Sequence, residues 1–216
     1  MSASEAGERL TGEIASRPAR RAPQVTRMLA WAGIDGLRLE GARAVLGERS
    51  IRASGCLVSA QQDSAEAYSA SYSLATDEVG VVQRLTVRTL RAQGEQYVSL
   101  TRSEEGIWLV DRVGEGAGTV RTSFSGALDI DLAFSPLFNA LPVRRLGLHR
   151  AAAHHDLPVV FVSLPGLEVG CVQQTYRTAA VGETTVVSFA SELLEAELTV
   201  DGDGLVLQYP GLALRT

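Results

Sequence analysis

Tyr68-Ser69-Ala70-Ser71-Tyr72-Ser73-Leu74 alternates without a break between apolar and hydroxyl side chains. A period of two sends successive side chains to opposite faces, so this run reads as a strand with one face in a core and one in water. The pattern recurs along the chain. Leu85 and Val87 alternate with Arg84, Thr86 and Arg88. Ile107 and Leu109 alternate with Trp108 and Val110, and Pro158 to Leu164 is almost wholly apolar, so both of these runs are expected to be buried on both faces. Leu198 and Val200 lead into Asp201-Gly202-Asp203-Gly204, and Leu205, Leu207 and Tyr209 return on one face. Asp-Gly between alternating runs is a hairpin signal. Strand-sized runs follow one another about every 10–14 residues with Gly at the breaks, as in sandwiches, rolls and barrels. No internal repeat and no alternation of strands with long helices is present. The expected fold is all-β and mainly antiparallel, a curled sheet forming a β-roll or open barrel.

One segment breaks the period. Phe134-Ser135-Pro136-Leu137-Phe138-Asn139-Ala140-Leu141-Pro142 opens on a Ser-Pro helix start and ends at a proline. It predicts one short helix near residues 135–141 joining two strands, with Leu137, Phe138 and Leu141 plugged into the sheet. Residues 1–27, rich in Ser, Ala, Glu and Arg, read as a flexible tail whose basic run is Arg17, Arg20, Arg21 and Arg27. Residues 28–216 read as a single domain.

Apolar residues make up 45% of the chain and charged residues 21%, enough apolar content for a real core. All 20 basic residues are Arg, which excludes a Schiff-base lysine and an ordinary P-loop lysine. A net charge of −5 argues against a nucleic-acid binder. No apolar run is long enough to span a bilayer and no secretory h-region is visible, so the expected location is cytoplasmic, with Cys56 and Cys171 reduced.

Nucleophile-elbow, HExxH, CxxC and GxGxxG motifs are absent. Gly114, Gly116 and Gly118 fit a loop better than a phosphate cradle. His154 and His155 would point to opposite faces of a strand, and with His149 they lack a partner at ligand spacing, so neither metal nor cofactor is expected. Asp201 to Gly204 lacks the acidic end of a calcium loop. Trp31, Trp108 and Tyr209 are expected in the core, with a cavity lining as the alternative.

The chemistry concentrates in residues 127–148. In Leu128-Asp129-Ile130-Asp131-Leu132 the two carboxylates share one face. Past Pro142, a strand period puts Arg144 on one face with Leu146 and Leu148, and Arg145 on the other. A cation among leucines needs a carboxylate or a ligand, and Asp129 and Asp131 are nearest in sequence. Gln174 and Tyr176 share a face and suit hydroxyl recognition.

The segment Asp129-Ile-Asp131-Leu-Ala-Phe-Ser-Pro136-Leu-Phe-Asn139-Ala-Leu-Pro142-Val-Arg144-Arg145-Leu resembles the signature of the bacterial putative glycolipid-binding protein family. Val159 to Leu167, Gln174-Thr-Tyr176 and Val200 to Leu212 agree in order, so the likeness runs from about Met28 to the end. The family often has Phe-Thr-Asn where this chain has Leu137-Phe138-Asn139, which removes a hydroxyl beside the asparagine. The resemblance implies a curled antiparallel β-roll, similar in outline to the half-barrels of lipid carriers. It also implies non-catalytic binding of a glycolipid or similar amphiphile in the sheet's concavity. The family's motif positions fall on Asp129, Asp131, Asn139, Arg144, Arg145, Gln174, Tyr176 and Tyr209, the expected ligand-binding residues, with the Arg, Asp and Asn side chains reading a head group at the mouth. Pro136, Pro142 and Asp201 complete the motif. Two alternatives stand beside this reading: a glycoside hydrolase using Asp129 and Asp131 as a pair, which no surrounding motif supports, and a structural module that forms a homodimer through its sheet edges.

Overall fold

In a computed structural model, which describes residues 23–61, 66–113, 117–192 and 194–216, strands dominate. In chain order they are β1 (Val25–Gly33), β2 (Arg38–Leu46), β3 (Ile51–Ser59), β4 (Tyr68–Thr76), β5 (Val82–Arg91), β6 (Gly94–Arg102), β7 (Trp108–Val113), β8 (Gly118–Thr122) and β9 (Asp129–Leu132). Helix α1 (Pro136–Leu146) follows, then β10 (His154–Val162), β11 (Val169–Ala180), β12 (Thr185–Ser191), β13 (Glu195–Val200), β14 (Val206–Tyr209) and β15 (Ala213–Arg215).

All fifteen strands lie in one sheet, ordered β8 back to β1 and then β15 back to β9. Two meanders are thus joined where the first strand meets the last, with Trp31 opposite Arg215. Every neighbouring pair is antiparallel except β9 and β10. These two are joined through α1, the kind of crossover that a parallel pair requires. The connection from β8 to β9 carries the chain from one sheet edge to the other. Within it the Ala127 carbonyl accepts from Trp108 Nε1 at 3.1 Å and the Leu128 carbonyl from the Val82 N–H at 3.0 Å. The sheet is curled and not closed into a barrel, as the all-β expectation allowed. No helix among the described residues is long and apolar enough to cross a membrane.

The alternation read from the sequence is the inward face of the roll. Tyr68, Ala70, Tyr72 and Leu74 are all buried, as are Leu85 and Val87. Helix α1 fills the interior, and Pro136 through Arg144 are all buried, including the expected plug of Leu137, Phe138 and Leu141. Trp31 and Trp108 are core residues with their indole N–H groups on the Val206 and Ala127 carbonyls. Val159, Val160 and Val162 are buried on both faces of β10.

Three expectations are corrected. Leu109 is exposed, so β7 buries only the face of Trp108 and Val110. Val25, Thr26 and Arg27, expected in the tail, are strand, and Arg27 bridges to Asp203; the tail up to residue 22 lies outside the described residues, as do Gly114 and Gly116. The helix does not stop at Pro142 but continues to Leu146. A proline fits helical φ; what it disturbs is the preceding turn, at a cost of about 3 kcal/mol that burial of the whole segment outweighs. The stop comes at Gly147, whose φ of 71° is left-handed, with the Leu148 N–H closing on the Val143 carbonyl at 2.9 Å.

Candidate functional site

Helical geometry past Pro142 changes where the two arginines point. Successive side chains turn by about 100°, and it is Arg145, not Arg144, that meets the aspartates. Arg145 donates from Nε and Nη2 to Asp129 at 3.1 and 2.6 Å. Gly80, in the turn before β5, lies so close to Arg145 that a Cβ there would sit 3.1 Å from the arginine's own. Arg144 instead donates to three backbone carbonyls, those of Asp203, Gly47 (2.6 Å) and Glu48. It ties the turn after β13 to the turn after β2, and Gly204 makes room for it, since a Cβ there would press on Arg144 Cγ at 2.9 Å. The expected pairing of Arg144 with Asp129 or Asp131 is therefore replaced by carbonyl contacts.

Four of the other predicted residues, Asn139, Tyr176, Gln174 and Asp131, form one chain of hydrogen bonds. Asn139 Nδ2 donates to the Tyr176 hydroxyl (3.1 Å), which donates to Gln174 Oε1 (3.0 Å). Gln174 Nε2 donates to Asp131 Oδ2 (2.7 Å). Asp129 and Asp131 do share a face, and the register through β10 puts Gln174 and Tyr176 on that same face of the sheet. Tyr209 stands one ring away, against Phe189, which packs on Tyr176. Burial pushes the Asp131 carboxyl up to about 6, with Gln174 pulling the other way. Burial also raises Asp129, against the pull of Arg145, and raises both tyrosines. Asp129, Asn139, Arg144, Gln174, Tyr176 and Tyr209 are buried, and Asp131 and Arg145 are half-buried. These groups face each other across the junction of α1 with β9 and β11. A carboxylate locked to an arginine in the interior is poorly placed for acid–base work on a substrate.

A further buried acid escaped the sequence reading. Glu40 lies on the inward face of β2 with Ala42, Ala44 and Leu46, and is 2% exposed. Its Oε1 accepts from the Tyr72 and Ser135 hydroxyls, both at 2.5 Å. Tyr72 reaches it from β4 across Gly55 on β3, where any Cβ would collide with the tyrosine ring and hydroxyl. Ser135 is the N-cap residue of α1 but makes no side-chain cap bond, its hydroxyl being committed to Glu40. Burial pushes the Glu40 carboxyl up to about 7, the two hydroxyls opposing. The signal was present in Arg38-Leu-Glu40-Gly-Ala42-Arg-Ala44: a carboxylate at an apolar beat of the alternation.

Two concavities stand out. One, of about 900 Å³, is an open groove of mixed lining that includes Thr175, Arg177, Ser188, Phe189, Glu195 and Ala196. It lies on the face of β11 opposite to Gln174 and Tyr176. The other, of about 440 Å³, lies at the end of the roll next to Glu40. Leu37, Tyr68, Phe134, Leu164 and Pro165 wall it, with Arg38, Asp35 and Glu66 at its charged edge. Arg38 bridges Asp35 at 2.5 Å and sits 4.4 Å over the Phe134 ring. His149 is buried with Nδ1 near the Val143 carbonyl, while His154 is exposed beside Asp156.

The described residues form an open antiparallel roll wound about a buried helix, with a pocket at its end. The chain belongs to the family described as Putative glycolipid-binding, whose profile matches residues 28–215. Among solved structures it is similar to a DUF1089 family protein from Pseudomonas aeruginosa, at 22% identity and a TM-score of 0.64, covering 97% of this chain and 100% of that one. That likeness is one of fold. No curated protein matches.

Proposed function

We propose that the protein is a non-catalytic binder of a glycolipid or similar amphiphile, and that the ligand sits in the pocket at the end of the roll. The interior concavity is occupied by α1, which leaves no room there for an acyl chain. The observation that carries the reading is the pocket's construction, an apolar wall of Leu37, Tyr68, Phe134, Leu164 and Pro165 with charged groups at its edge. Such a site takes a hydrocarbon segment on its walls and a polar head at its rim. Arg38 and Glu66 offer the donors and acceptors that sugar hydroxyls need. In this reading the Asp129, Asp131, Asn139, Arg144, Arg145, Gln174, Tyr176 and Tyr209 set does not touch the ligand and fixes α1 within the sheet, so that the Phe134–Ser135 corner is held at the pocket.

Octyl glucoside below its micelle concentration is a minimal probe, and calorimetry measures it. Binding to the full chain is expected, with Leu37→Asp weakening it at least tenfold while leaving the fold intact by circular dichroism. Unchanged affinity in Leu37→Asp would move the site elsewhere, and absence of any binding would overturn the reading.

A further inference from the structure

Behind the Arg38–Phe134 pair is a second, much smaller cavity, lined by Trp31, Gly33, Glu40, Leu57 and Pro136 as well as by that pair. Its volume is about 10 Å³, room for one water-sized group. Arg38 and Phe134 line both this cavity and the larger pocket, so they form the wall between the two. Glu40 Oε1 is saturated by Tyr72 and Ser135, but its Oε2 is buried with no hydrogen-bond partner among the described residues. The Tyr68 hydroxyl, in the wall of the larger pocket, is also buried without a partner at bonding geometry, Ser59 being its neighbour. An unpaired oxygen in an apolar interior costs about 1–3 kcal/mol, and here three elements are arranged to hold it in place. Gly55 lets Tyr72 through, Ser135 gives up its cap, and β2 spends an inward position on a carboxylate.

We infer that Glu40 Oε2 is the anchor for a hydroxyl group on the hydrocarbon portion of an amphiphilic ligand, which reaches it past Phe134 while the rest of that hydrocarbon lies in the larger pocket. This rests on the pocket proposed above and narrows its ligand to amphiphiles with a hydroxyl that can enter the narrow inner cavity. A hydroxyl is the group that suits Glu40 in either protonation state. It donates to the carboxylate, and it accepts from the carboxylic acid, whose proton must sit on Oε2 because Oε1 already accepts twice. Phe134 has a φ of 66°, in the left-handed region and uncommon for a bulky residue, and is 38% exposed.

The test compares 1-octanol with its methyl ether at pH 8, above the value of about 7 to which burial raises Glu40. The carboxylate can accept from the alcohol but has nothing to offer the ether. Octanol is expected to bind the native chain at least tenfold more tightly than the ether. Glu40→Gln, which presents an amide N–H in place of the free oxygen, is expected to bring the two within twofold. Equal binding of both by the native chain would overturn the anchor while leaving the pocket standing, as would a preference for octanol that survives in Glu40→Gln. Binding of neither would overturn the pocket and the anchor together, and octyl glucoside binding then shows whether amphiphile binding resides elsewhere.

Discussion

Buried acids sit in two places around α1, and they are treated differently. On β9, Asp129 is matched by the guanidinium of Arg145, and Asp131 by the amide of Gln174 within a chain of hydrogen bonds that ends on Asn139. On β2, Glu40 is met by two hydroxyls and no cation, and one of its oxygens is left over. A charge that is fully paired fastens elements together. A charge that is buried, uncompensated and beside a cavity is costly to keep, and such a group is a candidate for a site. Composition alone would rank the aspartate-rich segment as the site; the pairing of each group reverses that order.

The largest expected effect is on the paired side. Asp129→Ala strands the Arg145 charge in the interior, and denaturant unfolding is expected to show a loss of about 3–5 kcal/mol. A neutral result would mean that Arg145 finds another partner and that the fastening lies elsewhere. On the unpaired side the signature is pH. Glu40 has a folded-state value of about 7 against an ordinary value of 4.5. The folded state therefore holds a proton that the unfolded chain has released. The resulting stability is fully present below the unfolded value and disappears as pH rises toward and through about 7. Wild type is expected to lose up to about 3 kcal/mol over that range through this group. Glu40→Gln is expected to lack that component, while retaining the similar loss from Asp131, whose raised value of about 6 acts in the same direction. Parallel stability–pH curves for the two proteins would break the contrast. The smallest effect sharpens it from within the network: Tyr176→Phe leaves Asn139 and Gln174 each short of one partner and is expected to cost about 1–3 kcal/mol in thermal or urea unfolding, with no change in octyl glucoside affinity.

Much of the sheet was legible because alternation is local. Tyr68 to Leu74 declares its inward face within seven residues, and the same logic put Asp129 with Asp131 and Gln174 with Tyr176. The arginines were misread for one reason. Pro142 looks like a stop to local rules, and only the enclosure of α1 by the sheet carries the helix on to Gly147. With the period wrong, Arg144 and Arg145 exchanged roles. Glu40 was illegible in a different way. Its partners, Tyr72 and Ser135, are 32 and 95 positions away in sequence, and no neighbouring residue advertises them. The carboxylate's isolation on an apolar face was visible, but the cavity beside it exists only once β1, β2, β3 and the Phe134 corner have come together.

The pairing of β1 with β15 has a consequence for how the chain is made. During synthesis β1 emerges early and can zip to β2, but its other edge has no neighbour until Ala213–Arg215 appear. At about 5–20 residues per second that interval is on the order of ten seconds or more. Throughout it, the nascent meander carries an open strand edge, which invites pairing with a neighbouring chain. Ala213–Arg215 are the residues that close this edge, so until they are free to pair, it is open to capping by another chain.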